Sequence, residues 1–231
     1  MKALFETPST PLVPVAGEVD GFPVHRIFCV GRNYAAHAAE MGAEVDREAP
    51  FYFTKPASAV VMAGATVPYP PGTSNLHYEM ELVVAIGKPA FRVNSADAMQ
   101  AVYGYACGLD MTRRDLQNVA KEKGRPWDFA KAFENSAILG TISKAEDVAP
   151  IVDQRITLSV GGETRQDAVL SDMVWSVPEI ISHLSGYYHL QPGDLIYTGT
   201  PSGVGAVVTG DELHGTIEGL EPVSLILGPA E

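Results

Sequence analysis

The sequence predicts a mainly β, α+β fold. Three observations carry this expectation: apolar runs of strand length recur along the chain, glycine and proline interrupt them at short intervals, and helical windows are few. Strands and helices do not alternate, which argues against a doubly wound nucleotide fold. With 231 residues, 46% of them hydrophobic, the chain can bury one sizeable core. The expected organisation is an N-terminal arm over 1–23 and a single domain over 24–231.

The elements follow in order. Pro8, Pro11, Pro14 and Pro23 make the arm extended. Residues 24–30 read as a strand stopped by Gly31, and Asn33 is a plausible cap for a short alanine-rich helix over 34–41. Two further strands are expected at 51–53 and 59–62, and a buried one across 77–87. Residues 95–103 look helical behind a Ser95 cap, and 105–110 form a strand. The next helix spans 112–123, capped by Thr112 with Asp115 as an approximate capping box, and ends at Gly124. Gly161-Gly162 signals a hairpin. A helix over 176–184 tolerates Pro178 in its first turn, and strands at 195–198, 207–208 and 223–227 complete the set.

Composition narrows the function classes. A formal charge of −12 argues against nucleic acid, whose phosphates need a positive surface. No apolar run approaches a membrane span and no secretory leader is visible, so a cytoplasmic protein is expected. Cys29 and Cys107 lie in apolar, strand-like runs without ligand spacing, which fits buried free thiols in a reducing setting. An anionic substrate would need locally placed positive charge.

The chemistry-bearing residues begin with Glu79 and Glu81. One residue apart on a strand, they point to the same face, followed there by Val83 and Ala85. Two desolvated anions so close are tolerable if a cation lies between them, and oxygen ligands favour Mg²⁺ or Mn²⁺; a solvated strand end is the bland alternative. Asp110, where a strand meets a helix, is the natural third ligand if Thr112 takes the cap. His37 and Glu40 share a helix face, so a carboxylate can orient an imidazole to take a proton from water, unless both are simply solvated. Arg114 and Gln117 share a face of the next helix and can hold a carboxylate, with a solvated face as the alternative. Lys131 stands amid apolar and aromatic neighbours, where burial would demand an anionic partner and snorkelling would not. The glycine-rich run 198–205 lacks P-loop and dinucleotide spacing; it fits a tight turn offering N–H groups and the Thr200 hydroxyl to an anion, or an ordinary connection.

In this order these pieces resemble the fumarylacetoacetate hydrolase family. The likeness rests on Cys29-Val30-Gly31-Arg32-Asn33-Tyr34 with His37 and Glu40, on Glu79-Met80-Glu81, on 108–117, on Lys131 and on 198–205. Four stretches, 14–17, 51–56, 124–128 and 172–179, look most like the branch that hydrolyses fumarylpyruvate in gentisate breakdown. The resemblance implies a mixed β-sheet roll, usually a homodimer, with Mg²⁺ or Mn²⁺ on Glu79, Glu81 and Asp110. It implies a water-activating His37–Glu40 dyad on a lid-forming segment, and Lys131, Arg114, Gln117 and Thr200 around a bound oxo acid. Three carboxylates and one divalent ion leave −1, which Arg114 and Lys131 would reverse to +1, suiting a small anionic acylpyruvate. Arg32, Arg113 and Arg125 are unranked candidates for a distal carboxylate. An oxaloacetate-type decarboxylase or an isomerase of an unsaturated oxo acid would use the same metal site differently.

Overall fold

The computed structural model describes residues 4–6, 8–42 and 47–230; residues 1–3 and 7 of the expected arm, and residue 231, lie outside those described. A mixed sheet of eight strands organises the molecule. Its path runs Phe51–Lys55, Arg26–Gly31, Asp194–Tyr197, Met80–Ile86, Val102–Asp110, Ala137–Leu139 and Val60–Met62, with Ser143–Lys144 also paired to Val102–Asp110. A five-stranded sheet, Glu163–Val169, Arg155–Val160, Glu212–Ile217, Val223–Ala230 and Ala65–Tyr69, lies against it. The expected mixed β-sheet roll is therefore the observed architecture.

The central strand shows why both faces must be covered. Met80, Leu82, Val84 and Ile86 enter one core with Ile156, Leu158, Leu213 and Leu225 of the second sheet. The alternate residues Val83 and Ala85 enter another core, with Ile27, Cys29 and Tyr197. Beyond Glu81 the alternation leaves each face apolar, the pattern of a strand buried on both sides. Val13, Val15 and Phe22 close the second face, where Leu12–Val13 pairs with Phe22–Pro23. Both cysteines are buried and unpaired, as expected. Among the described residues no helix is long and apolar enough to cross a membrane.

Several local expectations changed under tertiary demand. Asn33 does not cap the helix Ala35–Glu40; its buried amide accepts from Trp175 N at 2.7 Å and donates to Trp175 O and Thr198 O at 2.9 and 2.8 Å. Backbone groups of buried loops must find partners, and Asn33 serves two loops at once. Gly31 is the last residue of its strand rather than a stop. The helix at 95 is capped by Asn94, one residue earlier than expected, and yields at Val102 because that residue joins the ladder with Ile86. Thr112 is not a cap either: Thr112–Arg113 pairs with Leu76–His77, the helix runs Arg114–Glu122, and Asp115 accepts instead from Thr73 and Ser74. Ala65–Tyr69, Ala137–Leu139 and Glu212–Ile217 are strands that local pattern did not reveal.

The helix Val177–Ser185 forms as expected, with Ser176 N donating to Glu179 Oε2 at 2.8 Å in a capping box. Its Ile180, Ile181 and Leu184 fill the core between the sheets. Loss of a cap of this type costs about 1 kcal/mol, so Ser176→Ala is expected to lower the melting temperature by about 2–4 °C. A thermal melt unchanged within error would show that the box contributes nothing.

Candidate active site

The antiparallel ladder between Met80–Ile86 and Val102–Asp110 assembles the acidic cluster. Glu81 lies opposite Gly108, and Asp110 N donates to Glu79 O at 2.9 Å. Residues opposed across such a ladder share a face, so Asp110 joins the glutamates. Ligand oxygens of Glu79, Glu81 and Asp110 all lie within 4.8 Å of one another, and all three residues are buried.

Three cations meet these anions. Lys131 Nζ donates to Glu79 Oε2 at 2.7 Å, Asp110 Oδ2 at 2.6 Å and the Thr112 hydroxyl at 2.6 Å. Its three N–H groups are thus all engaged. Arg114 Nη2 donates to Glu79 Oε1 at 2.6 Å and Nη1 to Gln117 Oε1 at 2.5 Å. Lys55, which the sequence reading did not single out, stands 2.8 Å from Asp110 Oδ1 and donates to Lys131 O at 2.5 Å. It is the one buried residue of the strand Phe51–Lys55, whose other positions are partly or fully exposed, so no local alternation marks it. Lys131 is buried rather than snorkelling.

The carboxylates are compensated unequally. Burial acts to raise Glu79, but Lys131 and Arg114 outweigh it and hold its carboxyl below the usual range. Glu81 goes the other way: burial first, then the negative charges of Asp110 and Glu79, push it well above its ordinary value. Gly199 N donates to Glu81 Oε2 at 2.7 Å. Gly199 adopts φ 99°, and a Cβ there would stand 2.7 Å from that of Asn33, so this turn needs glycine. The expected anion at the glycine-rich loop is the protein's own carboxylate. A divalent cation among these three residues would supply what Glu81 lacks, so the donor set, all oxygen and all acidic, fits a hard metal ion.

The remaining predicted residues converge on the same place. His37 Nδ1 lies 3.2 Å from Glu40 Oε2, and both Glu40 oxygens accept from Gly203 N at 3.2 Å. Burial lowers the His37 pKa against the raising influence of Glu79 and Glu40. Thr200 Oγ1 accepts from Gln166 Nε2 at 2.8 Å, which leaves its own proton free to donate. Gln166 also accepts from Met80 N at 3.0 Å; it is a positioning residue that local pattern could not mark. His37, Glu79, Glu81, Gln117, Thr200 and Lys131 line one small pocket. Arg113 points elsewhere, its guanidinium 4.2 Å from the Phe133 ring centre and donating to Phe129 O at 3.2 Å.

Known proteins resemble this chain over most of its length. The fumarylpyruvate hydrolase of Ralstonia sp is 57% identical over 194 residues, covering 83% of this chain and 100% of that protein. A mitochondrial oxaloacetate tautomerase of Homo sapiens is 44% identical over 194 residues, 84% of this chain and 87% of its own. The crystal structure of fumarylpyruvate hydrolase from Pseudomonas aeruginosa, in complex with Mn²⁺ and pyruvate, superposes with a TM-score of 0.94 at 48% identity, over 99% of this chain and 100% of that one. The family model described as fumarylacetoacetate (FAA) hydrolase C-terminal matches residues 26–224, and the chain belongs to that family.

Proposed function

We propose that this protein is a Mg²⁺- or Mn²⁺-dependent hydrolase that cleaves the carbon–carbon bond of a 2,4-dioxo acid, with fumarylpyruvate giving fumarate and pyruvate. The observation that carries it is that His37, paired with Glu40, lines the same pocket as Glu79 and Glu81, which with Asp110 form the buried acidic cluster. The similarity to two fumarylpyruvate hydrolases supports the choice of substrate.

Glu79, Glu81 and Asp110 would hold one divalent ion, which as a Lewis acid polarises the oxygens of the pyruvyl end. Glu40 orients His37, and the neutral imidazole removes a proton from water as it attacks the C4 carbonyl. The C3–C4 bond then breaks, its electron pair leaving as the enolate of pyruvate, which takes a proton at C3. Lys131 lends positive charge to the developing anion, exchanging one of its bonds to the cluster for one to substrate. Arg114, Gln117 and the Thr200 hydroxyl orient the carboxylate. The three cations Lys55, Lys131 and Arg114 balance the three carboxylates, so the divalent ion leaves +2 rather than the +1 counted without Lys55. A dianionic acid matches that charge.

The oxaloacetate tautomerase relatives favour a second reading, an oxo-acid isomerase, which needs proton transfer but no attacking water. Oxaloacetate decarboxylation is a third use of the same enolate chemistry. One assay separates them: fumarylpyruvate, maleylpyruvate and oxaloacetate, each with Mg²⁺, with Mn²⁺ and after chelation. Metal-dependent release of pyruvate from an acylpyruvate is expected; enolisation or decarboxylation of oxaloacetate alone would replace the hydrolase reading. A cytoplasmic homodimer accompanies the proposal, and sedimentation of the purified protein at twice the chain mass is the expected result.

A further inference from the structure

Beyond the acidic cluster lies a second group of charges that this mechanism does not use. The small pocket at Glu79 and His37 adjoins a cavity of about 620 Å³, and Arg32, Lys121, Phe53, Trp127 and Lys131 line both. Arg125 also lines the larger cavity. Aromatic faces hold the two shared outer cations: Lys121 Nζ lies 5.3 Å from the Trp127 ring centre, and the Arg32 guanidinium 5.9 Å from that of Phe51. The Phe51 and Phe53 rings pack 5.0 and 5.8 Å from Trp127, so the wall between these cations is aromatic. Among the described residues, the ion pairs formed include neither Arg32, Lys121 nor Arg125. Burial and the charges of Arg114 and Arg32 bring the Lys121 pKa down to about 8, the mark of a cation lacking its anion. Arg32 also adopts φ 59°, a left-handed conformation uncommon outside glycine.

Helix geometry sets the distance scale. Arg114, Gln117 and Lys121 recur at spacings of three and four on the helix Arg114–Glu122, and therefore share one face. At 1.5 Å per residue, Lys121 lies about 10 Å beyond Arg114 along the axis. Helical side chains lean toward the N-terminus, which brings its ammonium back toward the reaction centre. An acylpyruvate with a four-carbon diacid acyl group has six carbon–carbon bonds between its two carboxyl carbons, about 7–8 Å when extended.

We propose that Lys121 and Arg32 form a distal anion subsite, with Phe51, Phe53 and Trp127 as an apolar wall, that selects acylpyruvates whose planar acyl chain ends in a carboxylate. The inference rests on the hydrolase reading above and adds the substrate class. A fumaryl chain lies along the aromatic faces, and its carboxylate replaces the missing counter-charge of both cations. An acetyl group reaches neither.

The test compares fumarylpyruvate with acetylpyruvate, which has the same pyruvyl end and no distal charge, on metal-loaded wild type and on Lys121→Met, Arg32→Asn and Lys121→Arg. Asparagine is chosen at position 32 because it tolerates positive φ. The readout is the ratio of the two kcat/KM values, which does not depend on the fraction of enzyme that is folded. Lys121→Met and Arg32→Asn are each expected to lower that ratio by about tenfold or more, mainly through the KM of fumarylpyruvate, as loss of a charged hydrogen bond does. Lys121→Arg is expected to restore most of it. An unchanged ratio, or equal loss on both substrates, overturns the subsite. A wild-type enzyme that hydrolyses both equally well also overturns it while leaving the hydrolase reading intact; one that hydrolyses neither overturns that reading first.

Discussion

His37→Ala is expected to lower kcat for fumarylpyruvate by about 10²–10⁴-fold, the usual contribution of a positioned general base. The imidazole is buried and hydrogen-bonded to Glu40 at 3.2 Å, and Glu40 is itself held by Gly203 N. Burial lowers its pKa below the ordinary 6.5, so the ring is neutral and basic at pH 7. The acid limb of the kcat/KM profile is accordingly expected below pH 6.5, with activity falling as His37 takes a proton, and the variant should lose that limb. Glu40→Gln keeps the hydrogen bond but not the charge, and a smaller loss than His37→Ala is expected. Measured binding of Mn²⁺ should be near native in both. A His37→Ala enzyme with near-native turnover and native metal binding would remove the dyad from the mechanism.

The second large effect distinguishes two neighbouring carboxylates by sign. Asp110 sits between Lys55 and Lys131 at 2.8 and 2.6 Å, so Asp110→Asn leaves two buried ammonium groups short of a partner. Destabilisation by about 3–5 kcal/mol is expected, together with loss of metal-dependent hydrolysis by about a thousandfold. Glu81 is the opposite case, a carboxylate raised by burial and by like charges. A folded-state pKa above the unfolded one means that its contribution is full below pH 4.5 and is lost as pH rises through the raised value. Glu81→Gln is therefore expected to stabilise the metal-free protein at pH 7, since the neutral amide avoids the buried, like-charged carboxylate that the fold disfavours. The same variant should lose the melting-temperature rise that Mn²⁺ gives the wild type. Equal destabilisation of the metal-free protein by both substitutions would show that the two carboxylates are equivalent, against the asymmetry of their donors.

Much of the site was legible because its signals are local. Glu79 and Glu81 share a face by the two-residue period of a strand, and His37 with Glu40 by the turn of a helix. The order of the motifs then pointed to the family. The legible parts of the fold were likewise those closed by local rules, such as the Gly161-Gly162 hairpin between Arg155–Val160 and Glu163–Val169, and the helix Val177–Ser185 with Pro178 in its first turn. Capping at Asn33 and Thr112 failed for one reason. Each residue is buried where a distant group claims it, Thr198 and Trp175 in one case, Lys131 in the other. Asp110 joins the cluster all the same, because the sheet ladder puts it opposite Glu79 whatever Thr112 does.

The sequence by itself determined which acids, and which helix residues, fall on one face, since alternation and helical spacing are short-range geometry. Only the tertiary structure decided how their charges are balanced. Lys55 arrives from a strand three places away in the sheet from Met80–Ile86, Lys131 from a separate short helix, and the N–H on Glu81 from a turn 118 residues on. Coulombic and hydrogen-bond partners are chosen by which segments adjoin after folding, and that proximity is set by sheet order and register, which no local period encodes.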